Sequence, residues 1–413
     1  MMSEEEAYRT VSATLEQERI IPFKTDELEV VRSAEKCVNC GLCLNHCPVV
    51  RAVGVDRFSG PRSIAVELSR SPPDFWSTAD KVYLCTSCGT CREVCPFNVN
   101  MPDIVNMVRA RIFKQRPDLV PRGLRAVRET IAKYSLAFEP WEDPNEKTES
   151  RDARLQAAGL PFIKDRTVKG AEVLFYPGCQ AEERAQEVKE AAKFILNYFG
   201  VDFTLLEEMS CCGLPSRLIG DDETSRSLAA RLREKVNLLG VKKIVTTCAG
   251  CTSNLSDMSV RNNWGVPVYH LIEFLAEEIG LERLSEAFTE GSRADEVLTT
   301  IHDPCHLIRH TSRQISDHVI AVLNLIPNVT VVPSGVADSC CGGGGMVGYH
   351  SRDVADAVVA YNLGPISATK ANRLVAPCPL CTAQIERNLF NTGSDIQVDD
   401  LAVFIAQRLP QER

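Results

Sequence analysis

The chain has no apolar run approaching the ~18–20 residues needed to span a bilayer. Its first residues, MMSEEEAYRT, are acidic and carry no hydrophobic stretch, so no secretory leader is expected. Basic residues are in deficit. With 46 Lys and Arg against 55 Asp and Glu, the net charge of −9 argues against nucleic acid as the main partner. No FAD-binding fingerprint is visible, so any flavin chemistry needs a separate flavin subunit. These absences leave a cytoplasmic protein without a transmembrane segment of its own, peripheral to a membrane only through a partner subunit. What remains is ordinary globular composition, 44% hydrophobic and 24% charged. Over 413 residues that predicts two or three domains with buried cores.

The exception is cysteine. There are eighteen, none within residues 1–36, and all fall in four clusters with ligand-like spacing. In a reducing compartment they are not expected to be disulfides, and clustering argues against scattered structural thiols. Two clusters are Cys37-x2-Cys40-x2-Cys43-x3-Cys47-Pro48 and Cys85-x2-Cys88-x2-Cys91-x3-Cys95-Pro96. Both match the bacterial ferredoxin run C-x2-C-x2-C-x3-C-P, in which the fourth cysteine serves the other cluster. The spacing predicts Cys37, Cys40, Cys43 and Cys95 on one cubane [4Fe–4S] cluster. It predicts Cys85, Cys88, Cys91 and Cys47 on a second.

The other ten cysteines form a doubled motif. Cys179, Cys211-Cys212-Gly213 and Cys248-x2-Cys251 recur as Cys305, Cys340-Cys341-Gly342 and Cys378-x2-Cys381. The C-x-x-C pairs lie 130 residues apart, from 248 to 378. The same offset carries Val268, Leu271, Phe274 and Ala276 onto Val398, Leu401, Phe404 and Ala406. Core positions therefore repeat with the cysteines. An adjacent Cys-Cys pair sets two sulfurs more readily on different atoms of a metal–sulfur cluster than on one small ion. Structural zinc in one of the two sites is the competing occupant. Gly213 and Gly342 leave room for close backbone approach at the turn. The run Gly342–Gly345 is expected to bring backbone amides to a cluster or substrate.

Around these motifs the pattern divides into a lead-in (1–36), an α-helical two-cluster domain (37–138), a charged, Pro-containing linker (139–170), and two α/β units (171–285 and 296–408). Helices are expected near 62–68, 104–113, 183–199 and 222–239. Strands are expected at 173–178, 202–206, 243–247 and 297–301. The fold class is α/β plus α, a helical ferredoxin-type domain followed by a duplicated α/β domain with parallel sheets. Arg109, Arg111, Lys114, Arg116, Arg122, Arg125 and Arg128 read either as a docking face for an acidic partner or as a solvated helix surface. His302 and His306 flank Cys305 as proton donors or as hydrogen-bonding neighbours of the site. His46 beside Cys47 is a supporting or surface residue. Arg184, Arg217 and Arg309 lie near motif cysteines as anion binders or as ordinary surface residues.

The five-cysteine unit resembles the cysteine-rich CCG domain. The two-run domain followed by two such units resembles the D subunit of heterodisulfide reductase, equivalent to its C and B subunits fused. That resemblance covers nearly the whole chain from about residue 30. It implies that Cys179, Cys211, Cys212, Cys248 and Cys251 hold one noncubane [4Fe–4S] cluster. Cys305, Cys340, Cys341, Cys378 and Cys381 would hold another. It also implies reduction of a disulfide such as that of coenzymes M and B, between the two units. Electrons would come from a membrane b-type cytochrome or a soluble flavoprotein. The alternative is an electron-transfer component of a flavin-dependent glycolate, lactate or anaerobic glycerol-3-phosphate dehydrogenase, which shares the layout.

Overall fold

The computed structural model describes residues 25–69, 81–291 and 295–410, together with residues 6 and 10. The two-cluster domain is helical. Helices Leu28–Glu35, Gly60–Ser69 and Met101–Gln115 pack on one another around the first cysteine run. Pro102 sits in the first turn of the last of these, where its missing N–H costs nothing. Helix Leu28–Glu35, part of the expected lead-in, is fastened to this domain. Ser33 Oγ accepts from the Asn100 amide at 2.7 Å, and Glu27 pairs with Arg111 at 2.6 Å.

Each later unit is a four-stranded, wholly parallel sheet. In the first, β1 (Val173–Tyr176), β2 (Phe203–Thr204), β3 (Lys243–Thr246) and β4 (Val268–His270) stand in the order β2-β1-β3-β4. The second repeats this with β5 (Val297–Ile301), β6 (Val329–Val331), β7 (Arg373–Ala376) and β8 (Gln397–Asp400) in the order β6-β5-β7-β8. The α/β-plus-α architecture with parallel sheets is therefore observed, and the repeat extends to strand order. Helix Asp222–Leu239 begins and ends as its caps dictate. Asp221 accepts from the Thr224 amide at 3.1 Å, and Gly240 leaves the helix at φ +70°.

A single hydrophobic core runs through both sheets, and helix Gln186–Tyr198 of the first unit packs on Leu401–Ala406 of the second. The two-cluster domain docks on both units. Its helix Pro48–Arg57 lies along Arg352–Ala368, and Met101–Gln115 meets Leu214–Ile219.

Three expectations need correction. The charged stretch 139–170 contains a helix, Pro144–Ala158. Asp143 caps it through the Asn145 amide at 2.8 Å, and Gly159 ends it in the left-handed region. Its many helix-forming charged residues outweigh the linker-like composition. The helix expected over 183–199 is broken into Gly178–Glu183 and Gln186–Tyr198. The basic stretch is not one surface. Arg109 is fully buried and Arg111 nearly so, whereas Lys114, Arg116, Arg122, Arg125 and Arg128 are exposed. The Arg109 guanidinium donates to the carbonyls of Val82 (2.9 Å), Cys85 (2.7 Å) and Leu218 (3.1 Å). It thereby ties the second cysteine run to the first α/β unit.

Candidate active site

Cysteines sit where open α/β sheets build sites, just past the carboxyl ends of the central strands. Cys179 follows β1, Cys248 follows β3, Cys305 follows β5 and Cys378 follows β7. Cys248 and Cys378 are also the N-caps of helices Ala249–Arg261 and Pro379–Asn391, so each C-x-x-C straddles a helix start. The two units turn these edges toward each other.

The thiols form a continuous row of contacts. In the first unit the sequence of neighbours is Cys179, Cys211, Cys212, Cys251, Cys248. In the second it is Cys305, Cys340, Cys341, Cys381, Cys378, with Cys341 and Cys381 Sγ 3.3 Å apart. Cys248 meets Cys378 and so joins the rows. The electrostatics repeat as well. Cys212 and its counterpart Cys341 are drawn well below the usual thiol range by hydrogen bonds from the two thiols flanking each. Their partners Cys251 and Cys381 are pushed up by those same contacts and by burial.

All ten thiols but Cys340 line one cavity between the units. Ala137 and Phe138 close one side, and Gly343–Met346 and Tyr349 another. Among the described residues, no Asp, Glu, Lys or Arg lines it. Arg184, Arg217 and Arg309 stand behind the lining, close enough to act on Tyr349, His306 and Cys305. Arg184 donates to the Glu183 and Glu139 carbonyls, Arg217 pairs with Asp257 at 2.8 Å, and Arg309 pairs with Glu93 (2.7 Å) and Asp338 (3.0 Å).

The ferredoxin runs interleave. Cys43 neighbours Cys37, Cys40 and Cys95, whereas Cys47 neighbours Cys88 and Cys85. Cys91 lies among Cys88, Cys85 and Cys47, with Cys43 of the other run also near. The last cysteine of each run is thus brought to the other run. From this pair of sites, Cys88 reaches Cys340 in the second unit.

The glycines permit close backbone approach. A Cβ at Gly342 would lie 2.2 Å from the Ala355 carbonyl, and one at Gly213 would lie 3.0 Å from that of Ser225. The close approach at these turns is therefore to the following helix. Cβ atoms at Gly344 and Gly345 would meet the Thr86 and Cys85 carbonyls at 2.4 and 2.0 Å. The glycine run lets the second ferredoxin loop dock, its Gly342 amide donates to Cys340 Sγ at 3.3 Å, and Gly343–Gly345 border the cavity.

His302 is buried with Nε2 unpartnered and stands with Cys341 and Cys381 as a possible metal-ligating group. His306 lines the cavity. Its Nδ1 lies 3.2 Å from Ser253 Oγ, and burial lowers its pKa to about 4. His46 lies in a separate cleft with Arg309 and Cys340. Sequence reasoning missed His310, which stacks on His306 at 4.8 Å and whose Nε2 lies 2.9 Å from the Ser87 carbonyl. Its i, i+4 spacing from His306 was the available signal. It also missed Phe138 and Tyr349, which nothing near the motifs marks.

Comparison with known proteins agrees with this architecture. Residues 33–99 match a 4Fe-4S dicluster domain, and residues 173–256 and 299–386 match the cysteine-rich CCG domain. The thiol sets, gathered four and five at a time and mostly buried or half-buried, fit iron–sulfur clusters by donor chemistry. The fold and site thus define an iron–sulfur protein of the oxidoreductase kind, carrying a 4Fe-4S dicluster domain and two cysteine-rich CCG domains. The chain is 26% identical over 412 residues to the D subunit of the dihydromethanophenazine:CoB–CoM heterodisulfide reductase of Methanosarcina barkeri, covering 91% of this chain and 94% of that one. It is 27% identical to an iron–sulfur protein of Methanococcus maripaludis (88% and 69% covered). It is 25% identical to the B subunit of the CoM/CoB fumarate reductase of Methanothermobacter marburgensis (91% and 72%). Such relatives are parts of larger reductases, so partner subunits are expected here too. No described helix is long and apolar enough to cross a membrane.

Proposed function

We propose that the chain is the catalytic iron–sulfur subunit of a heterodisulfide reductase-like enzyme. It would split a disulfide into two thiols in the cavity shared by the two CCG units. One observation carries this reading. Nine of the ten motif thiols face a single cavity, and the two motifs meet at Cys248 and Cys378, as two half-sites for the two sulfurs of one substrate require.

Cys179, Cys211, Cys212, Cys248 and Cys251 would hold one noncubane [4Fe–4S] cluster. Cys305, Cys340, Cys341, Cys378 and Cys381 would hold the other. Cys37, Cys40, Cys43 and Cys95, and Cys85, Cys88, Cys91 and Cys47, would hold two cubane clusters. When bound, these groups supply one-electron redox chemistry at iron. The chain's own residues do the rest. The contact of Cys88 with Cys340 gives electrons a route into the second unit first, and that of Cys248 with Cys378 carries them to the first unit. Phe138, Leu218 and Met346 keep bulk water from the thiols. The partner is a one-electron donor, a membrane b-type cytochrome or a flavoprotein.

The test uses the cluster-loaded chain with a reduced viologen. Disulfide-dependent viologen oxidation should release two thiols per two electrons and vanish in Cys248→Ala and Cys378→Ala. Viologen oxidation by a quinone, with no thiol released from any disulfide, would mark an electron-transfer subunit instead.

A further inference from the structure

Arg309 stands between two cysteine sets with part of its guanidinium unpartnered. It lies four residues after Cys305, and its amide donates to the Cys305 carbonyl at 3.0 Å. Its own carbonyl accepts from Arg92 of the second ferredoxin run, and a Cβ at Gly89 of that run would lie 3.3 Å from its Cβ. The side chain is only 5% exposed. Nε pairs with Glu93 and Nη2 with Asp338, while Nη1 is buried without a hydrogen-bond partner. Besides those two carboxylates, the thiols of Cys88 and Cys305 act on it.

The duplicated units differ at this position. Four residues after Cys179 the chain has Glu183, equally buried, with Oε1 paired to Lys147 Nζ at 3.0 Å. One fold thus carries a buried cation in its second copy where the first carries a buried carboxylate. A packing need common to both copies does not account for the guanidinium. Surface pairing does not account for it either. Glu93, Asp338 and Arg313 around it are 34%, 49% and 54% exposed, so water screens their charges, whereas a buried charge is screened much less.

We propose that Arg309 tunes electron entry into the second CCG unit: its buried guanidinium favours the reduced state of the groups held by the Cys88 and Cys305 sets, raising the reduction potentials on both sides of the Cys88–Cys340 contact. A cation attracts the added electron, and the low dielectric of the interior strengthens that attraction. Arg309 itself stays protonated throughout. The step is a one-electron transfer from the donor partner, with no bond made or broken. This rests on the cluster assignment above and not on the identity of the substrate.

The experiment is a redox titration of the full, cluster-loaded chain followed by electron paramagnetic resonance. The signal of the second ferredoxin site is identified as the one that Cys91→Ala removes. Arg309→Gln should shift its reduction equilibrium toward the oxidised form at least about tenfold, about 59 mV for one electron. Arg309→Lys keeps the charge and should restore most of that shift. Asp338→Asn removes an opposing carboxylate and should move the equilibrium the other way, which decides the matter if Arg309→Gln does not retain its iron. An unmoved potential in iron-replete Arg309→Gln, equal shifts in the Gln and Lys variants, or a lowered or unmoved potential in Asp338→Asn overturns the proposal while leaving the cluster assignment standing. A loaded chain in which no signal depends on Cys91 overturns both.

Discussion

Cys88 of the second ferredoxin run is in contact with Cys340 of the second CCG unit, although 252 residues separate them. Cys305 feels the same neighbour. No corresponding contact links a ferredoxin cysteine to the first unit among the described thiols whose neighbours are resolved. On the proposed function the two CCG sites are unequal toward the electron supply. In the reduced, loaded protein, spin–spin broadening between the second ferredoxin site and the second CCG site is expected. Cys305→Ala should abolish it and Cys179→Ala should leave it, as electron paramagnetic resonance can show.

Metal content separates the cluster reading from zinc. Four four-iron clusters give roughly 16 iron atoms per chain. Because His302 stands with Cys341 and Cys381, the second unit is where zinc would enter. One zinc with roughly 12 irons would place it there, and His302→Ala would then lower the zinc count. On the iron reading His302→Ala leaves about 16 irons.

Arg109 is the only cation reaching three backbone carbonyls from two domains at full burial among the described residues. Arg109→Ala leaves the Val82, Cys85 and Leu218 carbonyls without their donor. Hydrogen bonds from a charged donor are worth roughly 1.5–3 kcal/mol each, so a loss of about 3 kcal/mol or more is expected. Thermal unfolding measures it, and iron should be lost first from the Cys85 run.

Gly345→Ala tests the docking role of the glycine run. The added methyl must displace the Cys85 carbonyl from 2.0 Å, at a φ of +62°. Overpacking of this kind costs roughly 1–3 kcal/mol. The expected outcome is a lowered melting temperature with weakened magnetic coupling between the ferredoxin and CCG sites. Gly393→Ala, where nothing lies within 4 Å, should leave the coupling unchanged.

Acid stability has a local source away from the clusters. Burial works to raise the Asp165 pKa, but Lys189 at 2.6 Å and Lys193 at 2.5 Å outweigh it and hold the carboxyl below its usual range. A depressed folded value stabilises the protein above the ordinary carboxylate pKa, and the benefit is lost as pH falls through the lowered value. Asp165→Asn should therefore lower the melting temperature at neutral pH and flatten its fall below about pH 4.

Local sequence settled much of this protein. The C-x2-C-x2-C-x3-C-P spacing points to iron–sulfur ligands, since the first three sulfurs of each run lie on one short loop. The parallel units follow from strands and capped helices in alternation, as at Asp221 and Gly240, where the deciding hydrogen bonds span three or four residues. The repeat of core positions at one offset announced two copies of one fold. What the chain alone could not decide lies between the units. The burial of Arg109, the partners of Arg184, Arg217 and Arg309, the docking of Gly344 and Gly345 on Cys85 and Thr86, and the sharing of one cavity by both cysteine motifs all depend on how three domains fit together. Those contacts join residues from tens to hundreds of positions apart and are fixed by shape and by the satisfaction of buried polar groups. The tertiary structure brought nine of ten cysteines in a repeated order to one cavity and set Cys88 of the second ferredoxin run against Cys340 of the second unit.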